Sequence, residues 1–200
     1  MANQLVGKQN LAIIARLLED RQFDYFCLVE SAENVEQLGT FIKSCGRRLN
    51  ALIELGVEGG RTGVRDAQQL EALLESLSRN QEHVVLSGVE VFEGVLDDEI
   101  SIRDFLRRAV ELTTRLTLEH RFRRSPVILS GAGSAWYDVV AEEFSKAKIG
   151  QLVDVVLRPG CYLTHDAGIY RAAQQKIQAR NSTNNLVTQL LAPPGLARHQ

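Results

Sequence analysis

Five runs rich in apolar, β-branched and aromatic residues alternate with stretches of helical periodicity, and this alternation constrains the fold more than any single motif. The expected strands cover residues 23–30, 49–55, 84–92 and 125–129, with a fifth starting at Val153. The expected helices cover 10–19, 135–146 and 164–179, together with three that begin behind caps. Ser31 would cap a helix carrying Val35, Leu38, Phe41 and Ile42 and ending near Gly46. Asp66 would cap one carrying Leu70, Leu73, Leu74 and Leu77, and Ser101 a long one running through Phe105 to Leu116. Strands that each lead into a helix make a parallel sheet with helical crossovers, so the expected class is α/β.

The polar residues cluster where each apolar run stops. Glu54 and Arg61 follow the second strand, Phe92 and Glu93 the third, Ser130 and Ser134 the fourth, and Arg158 and Gly160 the fifth. A ring of side chains supplied by successive strand ends is what a (β/α)8 TIM barrel produces. That fold usually needs about 250 residues, so five units describe a partial TIM barrel, open by about three strands. The stretch Val155-Val-Leu-Arg158-Pro-Gly160 reads as a buried parallel strand that stops at a site, because Pro ends the ladder and Gly lets backbone approach a ligand. No Gly-x-Gly-x-x-Gly opens the first unit and no Gly-Lys-Ser/Thr occurs anywhere, which argues against the Rossmann and P-loop routes to nucleotides.

Composition narrows the classes further. With 24% charged residues, 44% apolar residues and a net charge of −2, the chain can build a core and has no basic excess for nucleic acid. Its one dense basic run, Arg121-Phe-Arg123-Arg124, has Glu111 and Glu119 beside it and reads as a solvated helix end. Three cysteines without Cys-x-x-Cys spacing suggest a reducing compartment, with Cys27 in the core. The first seven residues lack a basic region and an apolar segment, and no apolar stretch is long enough to span a membrane, so a cytoplasmic chain is expected.

Four motifs in order then resemble a known family. Glu54-Leu-Gly-Val-Glu-Gly-Gly-Arg61-Thr62-Gly63-Val64 resembles the segment after a barrel strand in alanine-racemase-like enzymes that use pyridoxal 5′-phosphate (PLP). Leu157-Arg-Pro-Gly-Cys-Tyr-Leu-Thr-His-Asp166 is similar to the D-threonine aldolase / D-serine deaminase branch, in particular the bacterial amino acid deaminases. The opening Met-Ala-Asn-Gln-Leu-Val-Gly and the stretch Ser130-Gly-Ala-Gly-Ser-Ala-Trp-Tyr-Asp138 fit the same branch. The resemblance runs from residue 1 to about 181 and sets off a divergent tail over 182–200.

The resemblance implies a barrel that binds PLP at the carboxyl ends of its strands. Arg158 would face the pyridine nitrogen and keep it unprotonated, since two positive charges in contact are costly. Gly160 and Cys161 would offer backbone N–H groups to the phosphate, with Ser130, Gly133 and Ser134 completing the cradle. Arg61 would lie near the phenolic oxygen or the substrate carboxylate. Phe92 would take the place of a ring-stacking or catalytic imidazole, and Tyr162 and His165 would be further groups at the mouth. The family holds PLP as a Schiff base on a lysine of the first barrel strand. Lys8, Lys43, Lys146, Lys148 and Lys176 all fall on expected helices or in loops outside the mouth. The chain matches the family from about the end of its third strand, so the lysine strand and the metal-bearing C-terminal domain of some relatives fall outside the match, and no metal site is expected.

Three expectations follow. The chain is part of a PLP-dependent lyase, a deaminase, dehydratase or aldolase acting on D-hydroxyamino acids such as D-serine or D-threonine, and is inactive alone. As an alternative, it is a non-catalytic PLP- or phosphate-binding remnant, or an interaction module that uses open barrel edges. The expected partners are a small D-amino acid and either a second copy or a complementing chain, with no nucleic acid and no membrane.

Overall fold

A computed structural model of the chain describes residues 4–131, 135–158, 160 and 168–180. The order is α1 (Lys8–Leu17), β1 (Phe26–Val29), α2 (Ala32–Ser44), β2 (Leu49–Leu55), α3 (Ala67–Arg79) and β3 (Val84–Val91). A short 3-10 turn (Glu93–Val95) leads to α4 (Glu99–Leu118), β4 (Val127–Gly131), α5 (Tyr137–Ser145), β5 (Val153–Leu157) and α6 (Ile169–Arg180). All strands are parallel and lie in sequence order β1-β2-β3-β4-β5. Sequential parallel order without a reversal is the winding of a barrel wall, in contrast to a doubly wound sheet with a switch point. The expected α/β class and its partial-barrel form both hold.

Side-chain alternation splits the sheet into two faces. Val29, Ile53, Val89, Val91 and Leu129 point one way into a single core shared with Val35, Leu38, Leu73, Ile102 and Leu106 of the helices. The other face carries Leu28, Leu52, Glu54, Glu90 and Ser130. The register shifts once, between Ala51 and Leu52, where Ser87 is the extra residue on β3 and its hydroxyl donates to Asn50 Oδ1 at 3.0 Å. Beyond the bulge stands Gly88, where a Cβ would come within 2.0 Å of the Ile128 carbonyl oxygen. Glycine there lets β3 and β4 run close together just before the polar level of the sheet.

The helix starts follow local chemistry. Ser31 Oγ accepts from the Asn34 amide at 3.2 Å and Asp66 Oδ1 from the Gln69 amide at 2.8 Å, as the sequence predicts. Ser101 does not cap α4. Asp98 does, accepting from the Ser101 amide at 2.9 Å, so the helix starts a turn earlier than expected. A carboxylate competes well for this position, and three acidic residues in a row, Asp97, Asp98 and Glu99, hid the boundary.

β5 also departs from expectation. It is not buried: Asp154, Val155 and Val156 are exposed, the two valines by 38% and 37%. Among the described strands it pairs only with β4, so it is an edge of the sheet. α6 contributes little cover to it and docks mainly on α5. Ile177 packs on Tyr137 and Leu157, Tyr137 Oη donates to Gln174 Oε1 at 2.9 Å, and Arg180 forms two hydrogen bonds to Asp138 at 2.9 and 3.1 Å. No helix among the described residues is long and apolar enough to cross a membrane.

Candidate active site

The site grows from the register of the strands. Glu54 lies opposite Glu90, and Glu90 opposite Ser130, which faces Val156. Val29 lies opposite Ile53, so Glu30, next in the chain, comes level with Glu54. Arg158 follows two residues after Val156 and therefore shares its face. One level of the sheet, at the carboxyl ends of the strands and on the face away from the core helices, thus collects three carboxylates, a hydroxyl and a guanidinium.

The loop after β2 folds back over this level. The Gly56 amide donates to the Val64 carbonyl at 2.9 Å and the Val64 amide to the Glu54 carbonyl at 2.8 Å. The close approach needs glycine at both contacts. Gly63 has a φ of +90°, and a Cβ on it would lie 2.4 Å from the Gly56 nitrogen. The fold-back brings the Thr62 hydroxyl to Glu54 Oε1 and the Gly63 amide to Glu30 Oε2 as hydrogen-bond donors. Arg61 is left exposed at the mouth, where it lines a small crevice with Glu54, Thr62, Phe92 and Phe105.

Arg158 is the pivot. Its guanidinium is ion-paired to Glu90 Oε1, and its Nε donates to Ser130 Oγ at 3.0 Å. Ser130 Oγ in turn donates to the Val156 carbonyl at 3.0 Å, which fixes its lone pairs toward the arginine. The Arg158 backbone amide continues the ladder to the Gly131 carbonyl at 3.0 Å. Glu90 is 1% exposed, and among the described residues its Oε2 has no hydrogen-bond partner. A buried carboxylate oxygen without a donor is costly, and native proteins rarely keep one without a use.

Burial sets the electrostatics. It pushes the Glu54 carboxyl up from its ordinary value; the Thr62 hydroxyl opposes this, the Glu30 charge adds to it, and Arg158 and Arg61 oppose it. Burial also draws the Arg158 guanidinium down, against the Glu54 charge. Glu54 is therefore a carboxyl that holds a proton more readily than an exposed glutamate, at the edge of a crevice. Cys27, by contrast, is fully buried on β1 with its thiol pushed up to about 12 by burial, so it is packing, not a nucleophile.

The residues expected from the sequence fall into three groups. Ser130 and Arg158 meet directly. Arg61 and Phe92 share the crevice beside Glu54, Phe92 being 41% exposed with its ring folded over Gly94, and Gly160 is exposed with open space where a Cβ would stand. Cys161, Tyr162, His165, Gly133 and Ser134 lie outside the described residues. Glu90, Glu30 and the full part played by Glu54 were not anticipated. Glu54 and Glu90 are each the single carboxylate of a largely apolar strand, and neither run shows locally which partner it meets. All five lysines are exposed and none lies on a strand. Among the described residues no group of three or more His, Cys, Asp or Glu is placed to hold a metal ion.

A family model described as "Alanine racemase, N-terminal domain" matches residues 11–165. D-threonine aldolase from Arthrobacter sp. is 22% identical over 156 residues, which is 75% of this chain and 40% of that protein. Among solved structures, D-threo-3-hydroxyaspartate dehydratase from Delftia sp. HT23 is similar with a TM-score of 0.55 at 20% identity, covering 77% of this chain and 40% of its own. PipY of Synechococcus elongatus, solved with PLP bound, has a TM-score of 0.52 at 18% identity and covers 78% of this chain and 68% of its own. These structural likenesses show the shared fold. The chain spans about 40% of the length of the curated relative it matches.

Proposed function

Because the chain belongs to the family of the alanine racemase N-terminal domain, we propose that its strand-end site is the cofactor half of a PLP-dependent lyase acting on D-hydroxyamino acids such as D-serine or D-threonine. The observation that carries the reading is the buried Glu90–Arg158–Ser130 cluster at the carboxyl end of the sheet. The substrate class is supported by the likeness to a D-threonine aldolase and a D-threo-3-hydroxyaspartate dehydratase, and the cofactor by a PLP-bound relative.

The described residues fit the ring end of the cofactor. Arg158, its orientation fixed by Glu90 and Ser130, would present N–H donors to the ring nitrogen. A cation there would leave the ring nitrogen as an acceptor, and Glu90 keeps the pair neutral overall so that burial is tolerable. The exposed backbone at Gly160, and Cys161, Gly133 and Ser134 by resemblance, would hold the phosphate. PLP, when bound, withdraws electron density from the α-carbon of an attached amino acid. Glu54, with its raised affinity for a proton and its link to Thr62, is the group of this chain placed to hold a proton at the mouth. Arg61, exposed and near Glu54, would orient the substrate carboxylate; Tyr162 and His165 remain further candidates at the same mouth.

The fit stops at the nucleophile. All five lysines are exposed and none lies on a strand, so on this reading none of them serves as the nucleophile. The lysine would have to come from another strand, supplied by a complementing chain or by further sequence, and β5 has the exposed Val155 and Val156 that an added strand would cover. On this reading the isolated chain binds PLP reversibly, works in the cytoplasm and turns over no D-amino acid. The test is a PLP titration followed by absorbance. Arg158→Ala should weaken binding roughly tenfold to a hundredfold, as expected for loss of a charge-assisted contact. Glu90→Gln should weaken it less, and should add nothing once Arg158 is gone. Unchanged binding in Arg158→Ala, or turnover of D-threonine or D-serine by the chain alone, would contradict the reading.

A further inference from the structure

We propose a second binding site at the opposite end of the sheet, for a small amphipathic anion: an aromatic or aliphatic body carrying one carboxylate, sulfonate or phosphate. It lies between the last turns of α3 and the start of β3, under the segment that leaves α4. Val84, at the start of β3, is seven residues from Val91 at its other end, roughly 23 Å away in an extended strand. A ligand here does not touch the Arg158 cluster, and the inference is independent of the PLP reading.

The site is built by how α4 ends. His120 has a φ of 54°, in the left-handed region that glycine usually fills. The His120 amide donates to the Thr117 carbonyl at 3.0 Å and the Arg121 amide to the Leu116 carbonyl at 2.9 Å, which turns the chain sharply back on the helix. The Arg123 amide then reaches the Leu86 carbonyl on β3 at 3.3 Å. Both arginines are therefore held over the gap between α3 and β3. The gap is a cavity of about 550 Å³, within the size range of small-molecule sites. Its floor is apolar: Leu74, Leu77, Val84 and Leu86 are each no more than 5% exposed.

The charge at the rim is not balanced. Arg123 donates to the side-chain oxygen of Gln81 at 2.5 Å and has no carboxylate partner among the described residues. Arg121 donates to Ser78 Oγ at 2.9 Å and to Glu119 Oε2 at 3.2 Å. Glu119 is itself shared with Arg115, whose Nε lies 3.5 Å from its other oxygen and which also meets Glu71 at 3.2 Å, so Arg115, Arg121 and Arg123 have two carboxylates between them. In having no carboxylate among the described residues, Arg123 differs from Arg121 and from the partly buried arginines elsewhere: Arg103 meets Glu99, Glu142 and Glu143, Arg158 meets Glu90, and Arg180 meets Asp138. Neutral partners orient a guanidinium without cancelling its charge, which is what an anion site requires. Two fixed guanidiniums over an apolar floor select an anion with an apolar body over a bare inorganic ion. The basic run that reads in the sequence as a solvated helix end is in part the rim of this cavity.

The test is isothermal titration of the whole chain with naphthalene-2-sulfonate and with its neutral analogue naphthalene-2-methanol. The sulfonate should bind one to one, at least tenfold more tightly than the neutral compound. Arg121→Gln/Arg123→Gln should weaken the sulfonate at least tenfold, whereas Arg107→Gln/Arg108→Gln, an equal loss of charge at exposed positions of α4, should leave it unchanged. Ser78→Trp, which fills the cavity from the exposed side of α3, should remove binding of both compounds. Circular dichroism melts of each variant would show that the fold is retained. No binding of the sulfonate, equal affinity for the two compounds, or full affinity in either the double variant or Ser78→Trp would overturn the proposal.

Discussion

Glu90 and Arg158 stand 68 residues apart in the chain and make the part-buried ion pair on which the candidate site turns. Arg158 was legible in the sequence, because it is the last side chain before a Pro-Gly break. Glu90 was not, because a single carboxylate between two valines gives no local sign of its partner; only the parallel register through Ser130 brings them together. Glu54 shares that level and carries its own prediction. Its affinity for a proton is higher in the folded protein, chiefly through burial, so protonation favours the fold. That contribution is complete below the unfolded value of about 4.3 and is lost as pH rises through the raised folded value. Asp98 and Glu142 are shifted downward and contribute with the opposite sign, being lost as the solution is acidified. The informative quantity is therefore the difference between wild type and Glu54→Gln. As pH rises above about 4, denaturant midpoints should show wild type losing stability relative to the variant. Parallel curves would mean that Glu54 is not held in its protonated form by burial.

At the scale of elements, the order of strands and helices was legible throughout, since each strand is a β-prone apolar run and each helix has its own periodic face. The errors came where competing signals adjoined. Ser101 resembles a cap, yet Asp98 starts the helix, and both residues sit in the same first turn. β5 looks buried by composition, since Val-Asp-Val-Val-Leu has the residues of a central strand, but composition does not reveal how many neighbours a strand has. With one paired side and three exposed residues, β5 should be the least protected strand. Hydrogen exchange should find its amides exchanging roughly a hundredfold faster than those of β3, which is paired on both sides. Protection equal to that of β3 would mean that something covers β5, as a second copy or a complementing strand would.

At the scale of the molecule, the sheet presents a packed face to its helices and a polar level at the strand ends. The family was legible from four motifs in order, because loops at barrel strand ends carry chemistry while the rest of the wall varies. What the motifs could not give was the interlock of carboxylates and arginine beneath them. The site holds an arginine, a serine and a proton-holding glutamate, and all five lysines lie exposed off the strands. The most direct measurement is to saturate the chain with PLP, reduce with borohydride and map any modified peptide by mass spectrometry. Reversible binding that depends on Arg158, with no stoichiometric adduct at any lysine, is expected. A stoichiometric adduct at one defined lysine would contradict this expectation and would show that the chain carries its own nucleophile.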